Sequence, residues 1–161
     1  MNLYKFHTNP EQLKGYENKF SIPRVAYEHA KDVIGGRFPE AEAAIAKDPD
    51  SAVDYARDVI EGRWINSDVP PEIAIPAEDA IAKNPEMAYR YVMFVIHSRW
   101  PKVEPIIAKD PRLATQYAAV AIRNRWTESE VPPEIARQAE ESIATDPTYS
   151  AWYENYFKIK L

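Results

Sequence analysis

Four arginines stand immediately before an aromatic residue: Arg37-Phe38, Arg63-Trp64, Arg99-Trp100 and Arg125-Trp126. A guanidinium beside an aromatic face is chemistry that grips anionic or aromatic ligands, by forked hydrogen bonds and by stacking. Repeated four times, it would make a binding ladder. But Glu42, Glu78, Glu104 and Glu140 recur as faithfully as the arginines, whatever the separation in sequence. A matched acid for every arginine points to a structural pair, with the aromatic filling the core between repeats. The expectation is therefore that Arg37 meets Glu42, Arg63 meets Glu78, Arg99 meets Glu104 and Arg125 meets Glu140. Trp64, Trp100 and Trp126 should be buried.

The remaining chemistry is sparse. The histidines are His7, His29 and His97, and the chain has no cysteine. His29 takes a position that is Tyr in later repeats and reads as a core-edge side chain. His97 reads as a residue of an outer helix face, and His7 lies on the N-terminal segment. No two have metal-ligand spacing. Carboxylates are abundant, but on helix surfaces they are ordinarily solvated or paired with Lys and Arg. With only four glycines, no phosphate-cradling loop is present. No catalytic residue, cofactor site or metal site is assigned.

These side chains ride on a repeat. One skeleton, Ala-x-x-Tyr-Ala-x-x-Val-Ile-x-x-Arg-Trp followed by Glu-x-x-Ile-Ala-x-Asp-Pro, starts at Ala26, Ala52, Ala88, Ala114 and Ser150, at intervals of 26, 36, 26 and 36 residues. Fixed periods of this size mark stacked helical arrays. In the second repeat Ala52, Tyr55, Ala56, Val59 and Ile60 follow the i, i+3, i+4, i+7, i+8 stripe of an amphipathic helix. Asp48-Pro49, Asn84-Pro85, Asp110-Pro111 and Asp146-Pro147 pair a capping side chain with a proline suited to the first helical position. The helix should stop at Gly62 and its equivalents Gly36, Ser98 and Asn124, placed at the left-handed C′ position. A shorter second helix opens at Pro39 or Pro101. In the long repeats a ten-residue insert carries Val69-Pro70-Pro71 or Val131-Pro132-Pro133. It reads as a loop plus a turn or two of helix, with the regular helix beginning close to Pro76 and, in the short repeat, Pro105.

The predicted fold class is all-α: a short α-solenoid of stacked helix pairs forming a single domain over 1–161. An N-terminal cap occupies 1–24, with a short helix near 10–19. Four repeats occupy 25–147, and a half-repeat cap occupies 148–161. No alternating strand pattern is present. Hydrophobic residues at 45% suffice for a packed core. No apolar run approaches the roughly 18 residues of a membrane span, and Met1–Phe6 lacks the apolar run of a signal peptide. The absence of cysteine suits a reducing cytoplasm. The net charge of −5 argues against nucleic acid as a partner.

The skeleton Tyr-Ala-x-x-Val-Ile-x-Gly-Arg-Trp, seen at Tyr55–Trp64, together with Phe38–Pro49, resembles tandem helical-repeat proteins encoded by T-even-type tailed bacteriophages. The opening Leu3–Pro10 is also similar to the start of such proteins. The resemblance covers nearly the whole chain. It implies expression in a bacterial cytoplasm, and it brings no established activity or catalytic residue.

Positions that break the repeat carry the functional expectation. On the first-helix face opposite the core stripe, repeat one shows Tyr27, Glu28, Lys31 and Asp32, and repeat two shows Val53, Asp54, Arg57, Asp58 and Glu61. Both should be wet. Repeat three shows Tyr89, Arg90, Met93, Phe94 and His97. Repeat four shows Thr115, Gln116, Ala119 and Val120, and the terminal half-repeat adds Trp152 and Tyr156. Stacked side by side, these would form one apolar patch. Either a partner or a segment of the same chain would cover it. The functional expectation is a non-enzymatic protein-binding module acting on a protein partner or on a second copy of itself. Its candidate contact residues are Tyr89, Met93, Phe94, His97, Val120, Trp152 and Tyr156. Two alternatives remain: an enzyme built from His97, Tyr89 and Arg123, or a nucleic-acid binder using Arg24, Arg90 and Arg123.

Overall fold

The capping residues act where the sequence places them. In the computed structural model, which describes residues 17–161, the side chains of Asp48, Asn84 and Asp110 accept the backbone N–H of Ser51, Met87 and Leu113 at 2.9, 3.2 and 2.8 Å. Asp146 accepts from Thr148 and Tyr149 at 2.9 and 3.3 Å. Each cap satisfies donors that the first turn leaves open, and each is followed by proline.

The described residues are all-α, without strands. After α1 (Glu17–Phe20), the first helices of the successive repeats are α2 (Pro23–His29), α4 (Pro49–Tyr55), α6 (Pro85–Tyr91), α8 (Pro111–Tyr117) and α10 (Pro147–Phe157). The second helices are α3 (Pro39–Ile45), α5 (Pro71–Ala82), α7 (Glu104–Ile107) and α9 (Pro133–Ala144). The expected helix at 10–19 falls mostly outside the described residues. The chain divides into two compact units, Met1–Ile81 and Ala82–Leu161. Within the first, α2 lies against α4, and α3 packs on both. Within the second, α8 lies between α6 and α10, and α9 packs on α8 and α10.

The inserts form a 3₁₀ turn, Trp64–Asn66 or Trp126–Glu128, then a bend and a lengthened second helix. That helix starts at Pro71, five residues before the expected start at Pro76, which lies inside it. Pro76 is exposed, so the carbonyl it leaves without an N–H is on a helix side that reaches water. Pro105 does sit at a helix start, one residue into α7, behind the 3₁₀ turn Pro101–Val103.

The helix ends also differ from expectation. The first four first helices finish in a five-residue π-turn, Ala30–Ile34, Ala56–Ile60, Val92–Ile96 and Ala118–Ile122. The left-handed residue then comes one position earlier than Gly36, Gly62, Ser98 and Asn124. It is Gly35 (φ 68°), Glu61 (56°), His97 (57°) and Arg123 (60°). The wider turn closes by i→i−5 bonds, such as His97 N–H to Val92 O at 2.7 Å. Gly36 and Gly62 supply the following bond, to Ala30 O and Ala56 O at 3.1 Å each, one residue wider than the outer bond of a Schellman motif.

Three of these four left-handed positions thus carry a side chain. A left-handed L-residue costs about 1–2 kcal/mol, while glycine gives back about 0.5–1 kcal/mol in chain entropy. Glu61→Gly should therefore stabilise the protein by roughly 0.5–1 kcal/mol, reproducing the Gly35-Gly36 pair of repeat one. A denaturation midpoint that falls would show that Glu61 contributes an interaction larger than its backbone strain.

Candidate functional site

The arginine ladder proves to be structural. Arg37 forks onto Glu42 at 2.7 and 2.9 Å, Arg63 onto Glu78 at 3.1 and 2.5 Å, and Arg99 onto Glu104 at 2.8 and 3.1 Å. Arg125 reaches Glu140 through one nitrogen at 3.0 Å and turns another toward Glu128 at 3.1 Å. Glu42 and Glu104 are wholly buried, and Glu78 and Glu140 nearly so. Forked charge-assisted bonds are what make such burial tolerable.

A third member of this network was not foreseen. The tyrosine of the next repeat donates its hydroxyl to the same glutamate: Tyr55 to Glu42 at 2.8 Å, Tyr117 to Glu104 at 3.1 Å and Tyr153 to Glu140 at 3.0 Å. Each hydroxyl also accepts the backbone N–H of the aromatic beside the arginine, from Phe38, Trp100 and Trp126 at 2.9, 2.8 and 3.0 Å. Burial, and then the adjoining carboxylate, push these phenols well above their ordinary range, so they stay protonated donors. The signal was present in the sequence: Tyr55, Tyr91, Tyr117 and Tyr153 hold this place and phenylalanine never does.

Trp64, Trp100 and Trp126 are buried as expected, Trp64 and Trp126 completely. Both donate their indole N–H at 2.9 Å, Trp64 to Ala52 O and Trp126 to Ala114 O. His29 packs against Phe20 and Phe38, with centroids 4.6 and 5.5 Å away, in a cluster where those two rings also meet edge-on at 5.0 Å.

The outer face of the first helices is where the two units part company. In the N-terminal unit it is closed by charge, and it is drier than expected: Tyr27, Val53 and Asp54 are buried. Tyr27 donates to Asp58 at 2.6 Å, Lys31 meets Asp58 at 2.9 Å, and Arg57 meets it at 2.5 Å. Hydrogen bonds from Arg57 foremost, then from Lys31 and Tyr27, outweigh burial and hold the Asp58 carboxyl well below the usual range. Arg24 is committed to Glu28 and Asp54 at 3.0 and 2.9 Å, so it is not the free phosphate contact a nucleic-acid reading needs.

In the C-terminal unit the corresponding positions are Tyr89 for Tyr27, Met93 for Lys31 and Val120 for Asp58. These three positions form no ion pair, and the pair between α6 and α8 is Arg112 with Glu86, nearer the helix starts. Instead Val92, Met93, His97, Ala119, Val120 and Arg123 line an open groove of about 350 Å³. Tyr89, expected at the surface, is only 8% exposed. Its hydroxyl is 3.0 Å from the sulfur of Met93, a groove-lining residue, because this helix position faces the neighbouring first helix rather than water. His97 is exposed, but as the left-handed residue that ends the π-turn rather than as part of a helix face.

Of the remaining predicted contact residues, Phe94 is 46% exposed, Trp152 44% and Tyr156 54%. Trp152 and Tyr156 stack on α10 with centroids 4.8 Å apart and planes at 11°. The structure therefore brings Met93, His97 and Val120 together in one groove. It places Trp152 and Tyr156 together on the last helix.

The enzyme constellation is not assembled. His97 and Arg123 share the groove, but the Tyr89 hydroxyl is turned onto Met93. Among the described residues there is no group of three or more His, Asp or Glu arranged to hold a metal, and no helix long and apolar enough to cross a membrane. No protein-family model, curated protein or solved structure matches the chain.

Proposed function

We propose that this chain is a non-enzymatic protein-binding module, a short α-solenoid whose contact surface is the outer face of α6 and α8. One observation carries the reading. The same place between paired first helices holds a self-neutralised Tyr27–Lys31–Asp58 cluster in one unit and an open groove floored by Met93 and Val120 in the other. The fold is thus compatible with a charged closure that the C-terminal unit lacks. Methionine and aromatics are favoured at protein contacts for their adaptable, sizeable apolar surface, and Phe94, Trp152 and Tyr156 supply more of it on the same unit. The mechanism is stoichiometric occupancy. The resemblance to T-even-type phage repeat proteins would place that partner in a bacterial cytoplasm.

The test transplants the charged closure. Met93→Lys with Val120→Asp gives Tyr89 the neighbours that Tyr27 has. The variant should keep its helical circular dichroism and thermal midpoint, and it should lose the proteins that the immobilised parent retains from bacterial extract, as well as any self-association seen by sedimentation. A folded variant that retains the same proteins would move the contact elsewhere, first to the inserts at 65–74 and 127–136.

A further inference from the structure

The groove has a chemical polarity that restricts its occupant. Its floor is apolar, formed by Val92, Met93, Ala119 and Val120, and its rim carries His97 and Arg123 with no acid in the lining. Arg123 is exposed and makes no ion pair or side-chain hydrogen bond among the described residues. Arg24, Arg57, Arg99, Arg112 and Arg125 all meet carboxylates. The equivalent rim positions in the N-terminal unit are Gly35 and Glu61, so the fold itself asks for no cation there.

Resting on the protein-binding reading above, we propose that the groove takes a peptide segment in which a bulky apolar side chain is flanked by a carboxylate. The apolar side chain fills the space over Met93 and Val120, and the carboxylate accepts from Arg123 and the His97 imidazole. A volume of about 350 Å³ is at the lower end of the ~300–1,000 Å³ typical of ligand clefts, suited to one or two side chains. One effect opposes an anion here: the groove lies at the C-terminal ends of two helices, each equivalent to about half a negative charge. At each end one carbonyl is satisfied, Val92 or Ala118 accepting from the His97 or Arg123 N–H at 2.7 Å. The full charge of the guanidinium, standing at the rim where the ligand would sit, offsets these partial charges. That the same helix end carries Glu61 in the other unit shows that the dipole alone does not dictate the residue.

The experiment uses short labelled peptides of one scaffold, in which a central leucine is flanked by Glu, by Gln or by Lys, titrated by fluorescence anisotropy into the full chain. The Glu peptide should bind most tightly and weaken with added salt. Arg123→Glu places at this end the residue that position 61 already carries in the same backbone conformation. It should lower affinity for the Glu peptide on the order of tenfold while improving that for the Lys peptide. Equal affinity for the Glu and Gln peptides, or no saturable binding of either, overturns the proposal. Dimerisation of the protein alone that competes with the peptide also overturns it, naming a second copy as the occupant.

The Met93→Lys/Val120→Asp variant separates this inference from the broader one. If it loses both Glu and Gln peptides while Arg123→Glu loses neither, the groove stands and the acid preference falls. If it binds the Glu peptide like the parent, the groove is not the site and both readings fail.

Discussion

Truncation of Trp126 to Ala should destabilise the protein by about 3–5 kcal/mol, the usual range for removing a buried large aromatic. The side chain is wholly inaccessible, stacks on Tyr117 at 5.3 Å with planes at 21°, and donates to Ala114 O. Its own backbone N–H meets the Tyr153 hydroxyl of the next first helix. The substitution thus opens a cavity, removes one of the two hydrogen bonds to Ala114 O, which keeps that from Ala118 N–H, and loosens the seat of α10. Since domains of this size have only about 5–15 kcal/mol in total, the C-terminal unit should be close to unfolding at room temperature. Chemical denaturation followed by circular dichroism measures this. A midpoint unchanged from the parent would mean that the tryptophan is not part of the core and would return it to the ligand-ladder reading.

The second large effect is expected from Glu104→Gln, with a loss of about 3 kcal/mol, the lower end of the range for removing one member of a buried ion pair. The amide keeps an acceptor for the Tyr117 hydroxyl but presents an N–H₂ to the guanidinium fork of Arg99. The Arg99 side chain is 23% exposed and recovers part of its solvation, which places the cost at the lower end. Tyr117→Phe combined with Glu104→Gln should be less damaging than the sum of the single changes, with a coupling of about 1–3 kcal/mol, because both remove parts of one network. Additive losses would show that the tyrosine and the glutamate act independently.

How much of this was legible depends on which physical rule each residue obeys. Asp48, Asn84, Asp110 and Asp146 were readable because capping is local: a short polar side chain before proline has few other uses. The Arg–Glu pairs were readable from matched recurrence, even where the ten-residue insert separates Arg63 from Glu78. The tyrosine hydroxyls escaped because the amphipathic stripe explains a tyrosine as well as it explains a phenylalanine. Only the absence of phenylalanine at that place marks the oxygen. The π-turns escaped for a different reason. A turn that closes by i→i−5 rather than i→i−4 leaves the apolar pattern nearly intact and moves the left-handed residue by one place, onto Glu61, His97 and Arg123.

The candidate surface was partly legible. The change of residue type between repeats identified Met93, His97 and Val120, which line the groove, and Phe94, Trp152 and Tyr156, which are exposed. It misassigned Tyr89. Neighbouring first helices approach closely enough that the position after the repeat's opening alanine is buried in Tyr27, Val53, Tyr89 and Thr115 alike. Helical periodicity within one element carries no information about a neighbour contributed by another.

A protein partner seated on the outer face of α6 and α8 would shield the backbone there. Amide hydrogen exchange of the full chain, with and without a partner retained by the parent, tests it most directly. Added protection should concentrate at 89–97 and 116–123, with little change at 27–34 and 53–60, where the charged cluster closes the equivalent place. Protection confined to the inserts at 65–74 and 127–136, or to the N-terminal unit, would contradict it.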